Sequence, residues 1–147
     1  MYLFYAAKDI PFEVPEKLLA HGEWMSKRIL IADDHETTRS LIRSFLESKD
    51  GFEVCGESVD GVDVIEKAKD LRPDLIILDL AMPRMNGAAA ASVLKRTMPN
   101  VPIIVFTMYD EVMGKALAAA VHVDLVLAKP NGLHDMMAHV QDLLISE

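Results

Sequence analysis

One cysteine, Cys55, is the whole thiol complement of the chain, so neither an internal disulfide nor a Cys-based zinc site is available. It lies in the strand-like run FEVCGES, which predicts a reduced, buried small hydrophobe in a cytoplasmic protein. Long apolar runs are also missing: none approaches the ~18 residues that a membrane-spanning helix needs. The opening MYLFYAA has no basic n-region and is interrupted by Lys8 and Asp9, so it makes a poor signal peptide. Positive charge is scarce, with 15 Lys and Arg against 23 Asp and Glu and a formal charge of -8. That balance repels phosphate backbones and anionic lipid, and argues against direct nucleic-acid binding or membrane attachment by this chain. No G-x-G-x-x-G follows the first strand-like run, which removes a dinucleotide enzyme.

What is present is a rhythm within 147 residues, a length that suits one domain with a substantial core. RILIA (28–32), FEVCGES (52–58), LIILD (75–79), PIIVF (102–106) and LVLA (125–128) are short and rich in Ile, Val and Leu, as strands buried on both faces should be. Helical periods separate them. Thr38, Leu41, Ile42, Phe45 and Leu46 share one helix face, and Val64, Ile65, Ala68 and Leu71 share another. GAAAASVLKRTM (87–98) is a strong helix former because alanine loses no side-chain entropy, and Asn86 is placed to cap it. Met113, Ala116, Leu117 and Ala120 form a fourth stripe; Leu133, Met136, Met137, Val140 and Leu144 form a fifth. Strict β-α alternation with right-handed crossovers predicts an α/β three-layer sandwich, a doubly wound five-stranded parallel sheet with five helices. In such folds the ligand site lies beyond the carboxyl ends of the strands.

Residues 1–26 stand outside the rhythm and are expected to form an N-terminal extension to a domain of residues 27–147. Pro11 and Pro15 break regular structure, and PEKLLAHGEW (15–24) suggests a short helix begun by Pro15. Either translation begins at Met25 and what precedes it is upstream sequence, or Leu3, Phe4, Phe12 and Trp24 pack on the domain or on a neighbouring chain.

The tips of the strand-like runs carry the chemistry. Asp33 and Asp34 follow the first run, Asp79 ends the third, Thr107 follows the fourth, and Lys129-Pro130 follows the fifth. An ionised Asp79 at the end of the apolar LIIL needs compensation. Clustered carboxylates favour a hard divalent cation such as Mg²⁺, and a carboxylate can attack phosphorus to give an aspartyl phosphate. Mg²⁺ on Asp34 and Asp79 and the ammonium of Lys129 would flank a transferring phosphoryl group, with Thr107 bonded to one of its oxygens. A Mg²⁺-dependent phosphohydrolase commonly carries a second acid two residues after its nucleophile; here that residue is Ala81. His35 follows the acidic pair, yet a hard-oxygen site does not favour imidazole, so the five histidines are read as structural.

ILIADDH, LIILDLAMPRMNG, the isolated VFT and AKP together make residues 27 to about 145 resemble the receiver domain of bacterial two-component response regulators, and more closely the receivers that precede helix-turn-helix output domains. The resemblance implies a flavodoxin-like sheet of order 2-1-3-4-5 and a phosphoacceptor signalling switch. It makes Asp79 the acceptor of a phosphoryl group from a sensor histidine kinase's phosphohistidine. It implies that Asp33, Asp34, Asp79 and the backbone carbonyl of Ala81 serve Mg²⁺, Asp33 through a metal-bound water. Thr107 and Lys129 would contact the phosphoryl group, and the Lys129-Pro130 bond would be cis. The chain would catalyse only its own phosphorylation and dephosphorylation, and signal in the cytoplasm to transcription through a homodimer or a downstream effector.

Three positions depart from or qualify the pattern. The family's switch aromatic, three residues before the Lys, is here Val126, which predicts a smaller surface change on phosphorylation and keeps open a degenerate receiver acting as a phosphorylation-independent binding module. Ala81 offers no polar group to orient water and Tyr109 is bulky enough to shield the phosphorus, which together predict slow autodephosphorylation. The chain ends at Glu147, after the fifth helical stripe, so a stand-alone receiver and a piece of a longer regulator both fit.

Overall fold

A computed structural model describes residues 26–108, 116, 119–121, 123–129 and 132–145, and the backbone at 19–20 and 23–24. Two short strands, β1 (Leu19–Ala20) and β2 (Glu23–Trp24), pair antiparallel with Leu19 opposite Trp24. This replaces the short helix expected over 15–24, at least for these four residues. A helix there would have to run through Gly22, at a cost of about 1 kcal/mol relative to alanine.

The main sheet contains β3 (Lys27–Ala32), β4 (Phe52–Ser58), β5 (Leu75–Leu78), β6 (Ile103–Thr107) and β7 (Leu125–Ala128). Their order is β4-β3-β5-β6-β7, every pairing is parallel, and the crossovers are α1 (Glu36–Glu47), α2 (Gly61–Leu71), α3 (Gly87–Thr97) and α4, whose described helical residues are 116 and 119–121. A last helix, α5 (Gly132–Ile145), follows β7. The expected 2-1-3-4-5 sandwich is what forms. The chain leaves β3 for one side of the sheet and returns to its other side with β5, so the reversal of strand order falls between β3 and β5.

Alternation along the strands fills two cores. Ile29, Ile31, Leu75, Ile77, Ile104 and Phe106 face Ile42 and Leu46 of α1 and Met136 and Val140 of α5. Leu30, Ala32, Ile76, Leu78, Ile103 and Val105 face Val64 and Ala68 of α2 and Ala90, Ala91 and Leu94 of α3. Burial on both sides explains why these runs read as continuous apolar sequence. Asn86 caps α3 as expected, accepting the Ala89 N–H at 2.9 Å.

Three packing expectations are corrected. Leu41, expected on the inner face of α1, is 55% exposed because Ile42 and Leu46 already cover the sheet there. Ala116 and Ala120, expected on an inner stripe, are exposed. Cys55 is only half-buried, since β4 is an edge strand; partial burial still pushes its thiol pKa up. Among the described residues, no helix is long and apolar enough to cross a membrane.

Candidate functional site

Strand pairing brings the predicted residues to one edge. Asp79 stands one residue past β5 and donates its N–H to Ala32 at 2.9 Å, while Asp33, one past β3, donates to the Ser58 carbonyl at 3.0 Å. Thr107 is the last residue of β6 and sits opposite Ala128 of β7. Lys129 continues that pairing, with its N–H on the Thr107 carbonyl at 2.9 Å. Its side chain crosses the tip of β6, with Nζ 5.7 Å from the Phe106 ring centroid. It ends in an ion pair with Asp33 and lies 3.4 Å from Oδ2 of Asp79.

These groups are shielded from water: Asp33 is 2%, Asp79 3% and Thr107 1% exposed. Two buried carboxylates therefore share one ammonium. Burial raises the Asp79 pKa; Lys129 opposes the rise and neighbouring Asp33 reinforces it. The Ala81 N–H, 3.4 Å from Asp79 Oδ1, adds only a long contact. Asp34 and His35 complete the rim, with His35 Nδ1 3.2 Å from Asp33 Oδ1 and 3.0 Å from Asp34 Oδ1. Donor atoms of Asp33, Asp34, His35 and Asp79 all lie within 4.8 Å of one another. A set dominated by carboxylate oxygens, with more negative than positive charge buried in it, fits a hard divalent cation.

Asp33, Asp34, Asp79 and Lys129 are thus joined by side-chain proximity, Thr107 through its carbonyl, and Ala81 through its N–H. Tyr109 and Pro130, with the expected cis bond, lie outside the described residues. Val126 sits opposite Val105 and packs against the core on the α2 and α3 side.

Several participants were not legible beforehand. The His35 ring reaches both acids of the turn. Asp60 caps α2 by accepting the Asp63 N–H at 2.8 Å and takes a two-pronged contact from Arg84, whose Nε and Nη2 lie 2.8 and 3.0 Å from its oxygens. Arg84 holds the Asp60 pKa down. Gly87 is required by close approach: a Cβ there would fall 1.9 Å from the Asp79 carbonyl oxygen. The signal available was the Asn-Gly at the start of a helical run, but what it packs against depends on the tertiary fold.

A parallel sheet of order 2-1-3-4-5, bearing a pocket of acids with one lysine at the carboxyl ends of its strands, defines the class of flavodoxin-like proteins with an acidic edge. The profile described as the response regulator receiver domain matches residues 29–141. The chain belongs to that family and is the receiver domain of a two-component response regulator. It is 41% identical over 87 residues to the response regulator protein VraR of Staphylococcus saprophyticus, an alignment covering 59% of this chain and 42% of that protein. It is 37% identical over 99 residues to VraR of Staphylococcus aureus, covering 66% of this chain and 47% of that one. The chain thus spans less than half the length of these curated relatives. Among solved structures, the receiver (REC) domain of AraT, a response regulator from Geobacillus stearothermophilus, is 32% identical, with TM-score 0.74 over 83% of this chain and 95% of that one. A LuxR-family response regulator from Aurantimonas has the same fold, with TM-score 0.77 at 21% identity over 83% of this chain and 87% of that one.

Proposed function

We propose that Asp79 is the phosphoacceptor of a signalling switch. The observation that carries this reading is a carboxylate 3% exposed, raised in pKa by burial, and sharing a single ammonium with a second buried acid. A carboxylate so weakly compensated is poised to bond to an incoming electrophile. An Asp79 oxygen attacks the phosphorus of a sensor kinase's phosphohistidine, the P–N bond breaks, and its electron pair leaves with the imidazole. The product is an acyl phosphate on Asp79. Lys129 holds the phosphoryl oxygens by charge, and Thr107, at the adjacent strand tip, offers its hydroxyl to one of them. Water later attacks the phosphorus, releasing phosphate and restoring the carboxylate.

The carboxylates of Asp33, Asp34 and Asp79 with the Ala81 carbonyl would hold Mg²⁺, which supplies neutralisation of charge on the transferring group. In this reading residues 27–147 form the receiver and residues 1–26 an extension to it. The chain turns over no foreign substrate, works in the cytoplasm, and passes its signal through a homodimer or an effector. A transcriptional output is in keeping with a fold neighbour described as a DNA-binding response regulator of the LuxR family from Staphylococcus aureus. Val126, packed against the core, favours a smaller change across α4, β7 and α5 than an aromatic would give; a phosphoryl mimic producing large spectral shifts centred there would refute that part.

The test is intact-mass measurement after incubation with Mg²⁺ and acetyl phosphate. The wild type should gain one base-labile phosphoryl group and Asp79→Asn none. An adduct that persists in the variant, or none in the wild type, overturns the assignment in favour of a phosphorylation-independent binding module.

A further inference from the structure

The Asp33 peptide unit is held from both sides. Its N–H donates to the Ser58 carbonyl at 3.0 Å. Its carbonyl lies before α1 begins and is outside that helix's own ladder, yet it accepts Nη1 of Arg39 at 2.8 Å. The same guanidinium donates through Nε to Glu57 Oε1 at 2.8 Å. Glu57 stands at the tip of β4, beside Ser58. Its second oxygen takes Nε of Arg43 at 2.7 Å, and its carbonyl takes the Lys67 ammonium. Burial would push the Glu57 pKa up, but the bonds from Arg43 and Arg39 hold it down, so it stays an anion.

The Arg39 side chain is 14% exposed, and the bonds described for its guanidinium go to Glu57 and to the Asp33 carbonyl rather than to a carboxylate of the pocket. What it fixes is the orientation of the peptide joining Asp33 to Asp34. That peptide decides whether both carboxylates face Asp79. A planar guanidinium serves the carbonyl and the carboxylate through two N–H groups of fixed separation and direction, whereas a lysine ammonium is a point charge that leaves the angle between its two partners unfixed.

We propose that Arg39, braced by Glu57, is a positioning residue that sets the divalent-cation affinity of the acidic pocket by fixing the Asp33-Asp34 turn. The inference rests on the reading of that pocket as a cation site. Partners that orient ligands in this way typically change metal affinity about 10- to 100-fold when removed. Arg43 supplies an internal control, since it grips Glu57 equally well but makes no bond to Asp33 among those described.

The experiment is Mn²⁺ binding to the full chain, followed by electron paramagnetic resonance of free Mn²⁺, with thermal unfolding of the same samples. Arg39→Gln should weaken binding about tenfold, while phosphoryl adduct at saturating Mn²⁺ returns to the wild-type level. Arg43→Gln should lose comparable stability and keep its affinity within about twofold. Arg39→Lys, which retains the charge and the fold, should bind between wild type and Arg39→Gln. Equal affinity in wild type and Arg39→Lys, or an equal loss in Arg43→Gln, overturns the proposal. Absence of Mn²⁺ binding by the wild type would instead refute the cation site itself.

Discussion

Aspartates stand at both ends of the sheet, and the two ends treat them differently. At the end where strands begin, Asp74 precedes β5 and takes the Arg28 N–H at 2.8 Å, returning its own N–H to the Arg28 carbonyl at 2.7 Å. Asp124 precedes β7 and does the same with Ile103, at 2.8 and 3.0 Å, and also takes the Lys95 ammonium at 2.7 Å. Each clips an incoming strand to its neighbour. At the end where strands finish, Asp33 and Asp79 share Lys129, and Asp79 has no contact shorter than 3.4 Å among the bonds described for its carboxylate. One residue type therefore does two jobs: a carboxylate that accepts a short bond from a neighbouring strand's N–H holds the fold, and one with only long contacts keeps free energy available for a ligand or a reaction.

The largest expected effect comes from the end where strands begin. Asp124→Ala removes the acceptor of the Ile103 N–H and the partner of a mostly buried lysine, and should destabilise the domain by about 2–3 kcal/mol. Urea unfolding measures it directly. A loss below about 0.5 kcal/mol, the range of unremarkable surface changes, would erase the distinction between the two ends.

Asp79→Asn should move stability the other way. In metal-free buffer at neutral pH, replacing an under-compensated buried charge by a neutral amide should stabilise the domain by about 1 kcal/mol. Mg²⁺ should reverse the order, because at a hundredfold excess over its dissociation constant a ligand adds about 2.7 kcal/mol to the protein that binds it. The comparison fails if the variant is the less stable one in chelator.

How far the sequence revealed these ends follows from the same physics. The finishing edge was legible because runs such as LIIL stop abruptly at a charged residue: Asp33, Asp79 and Lys129 end three of the five runs and Thr107 a fourth, and in strict alternation these stops point to one sheet edge. Asp74 and Asp124 were not legible: nothing local distinguishes an acid that will meet a neighbouring strand's N–H from an ordinary loop acid. Arg39 was hidden for a related reason. It sits on the polar side of an amphipathic helix, and its contact with the Asp33 carbonyl exists only once the turn into α1 is folded. The exposure of Leu41 was missed because periodicity gives the direction of a helix face, not how much of its width the sheet covers.

The smallest effect is the pH dependence of the stability difference between wild type and Asp79→Asn, and it carries the sharpest sign. Asp79 has a folded pKa above its ordinary value of 3.8. As pH falls through the raised pKa, the folded protein takes up a proton that the unfolded chain does not yet bind, so Asp79 contributes increasing stability toward acid. The contribution levels off below the ordinary carboxylate range, where both states are protonated. The advantage of Asp79→Asn should therefore be full at neutral pH and shrink steadily across that window. Glu57, on the same edge but held below its ordinary value of 4.5 by Arg43 and Arg39 against the pull of burial, should behave oppositely. Its stabilisation is complete above the ordinary value and is lost as pH falls through the depressed one, so the deficit of Glu57→Gln should vanish toward acid. Urea midpoints of the three proteins in chelator, from neutral pH down to below the ordinary carboxylate range, read both trends. A constant offset for Asp79→Asn would mean that its carboxylate titrates as it does in water and that the finishing edge is as well compensated as the other.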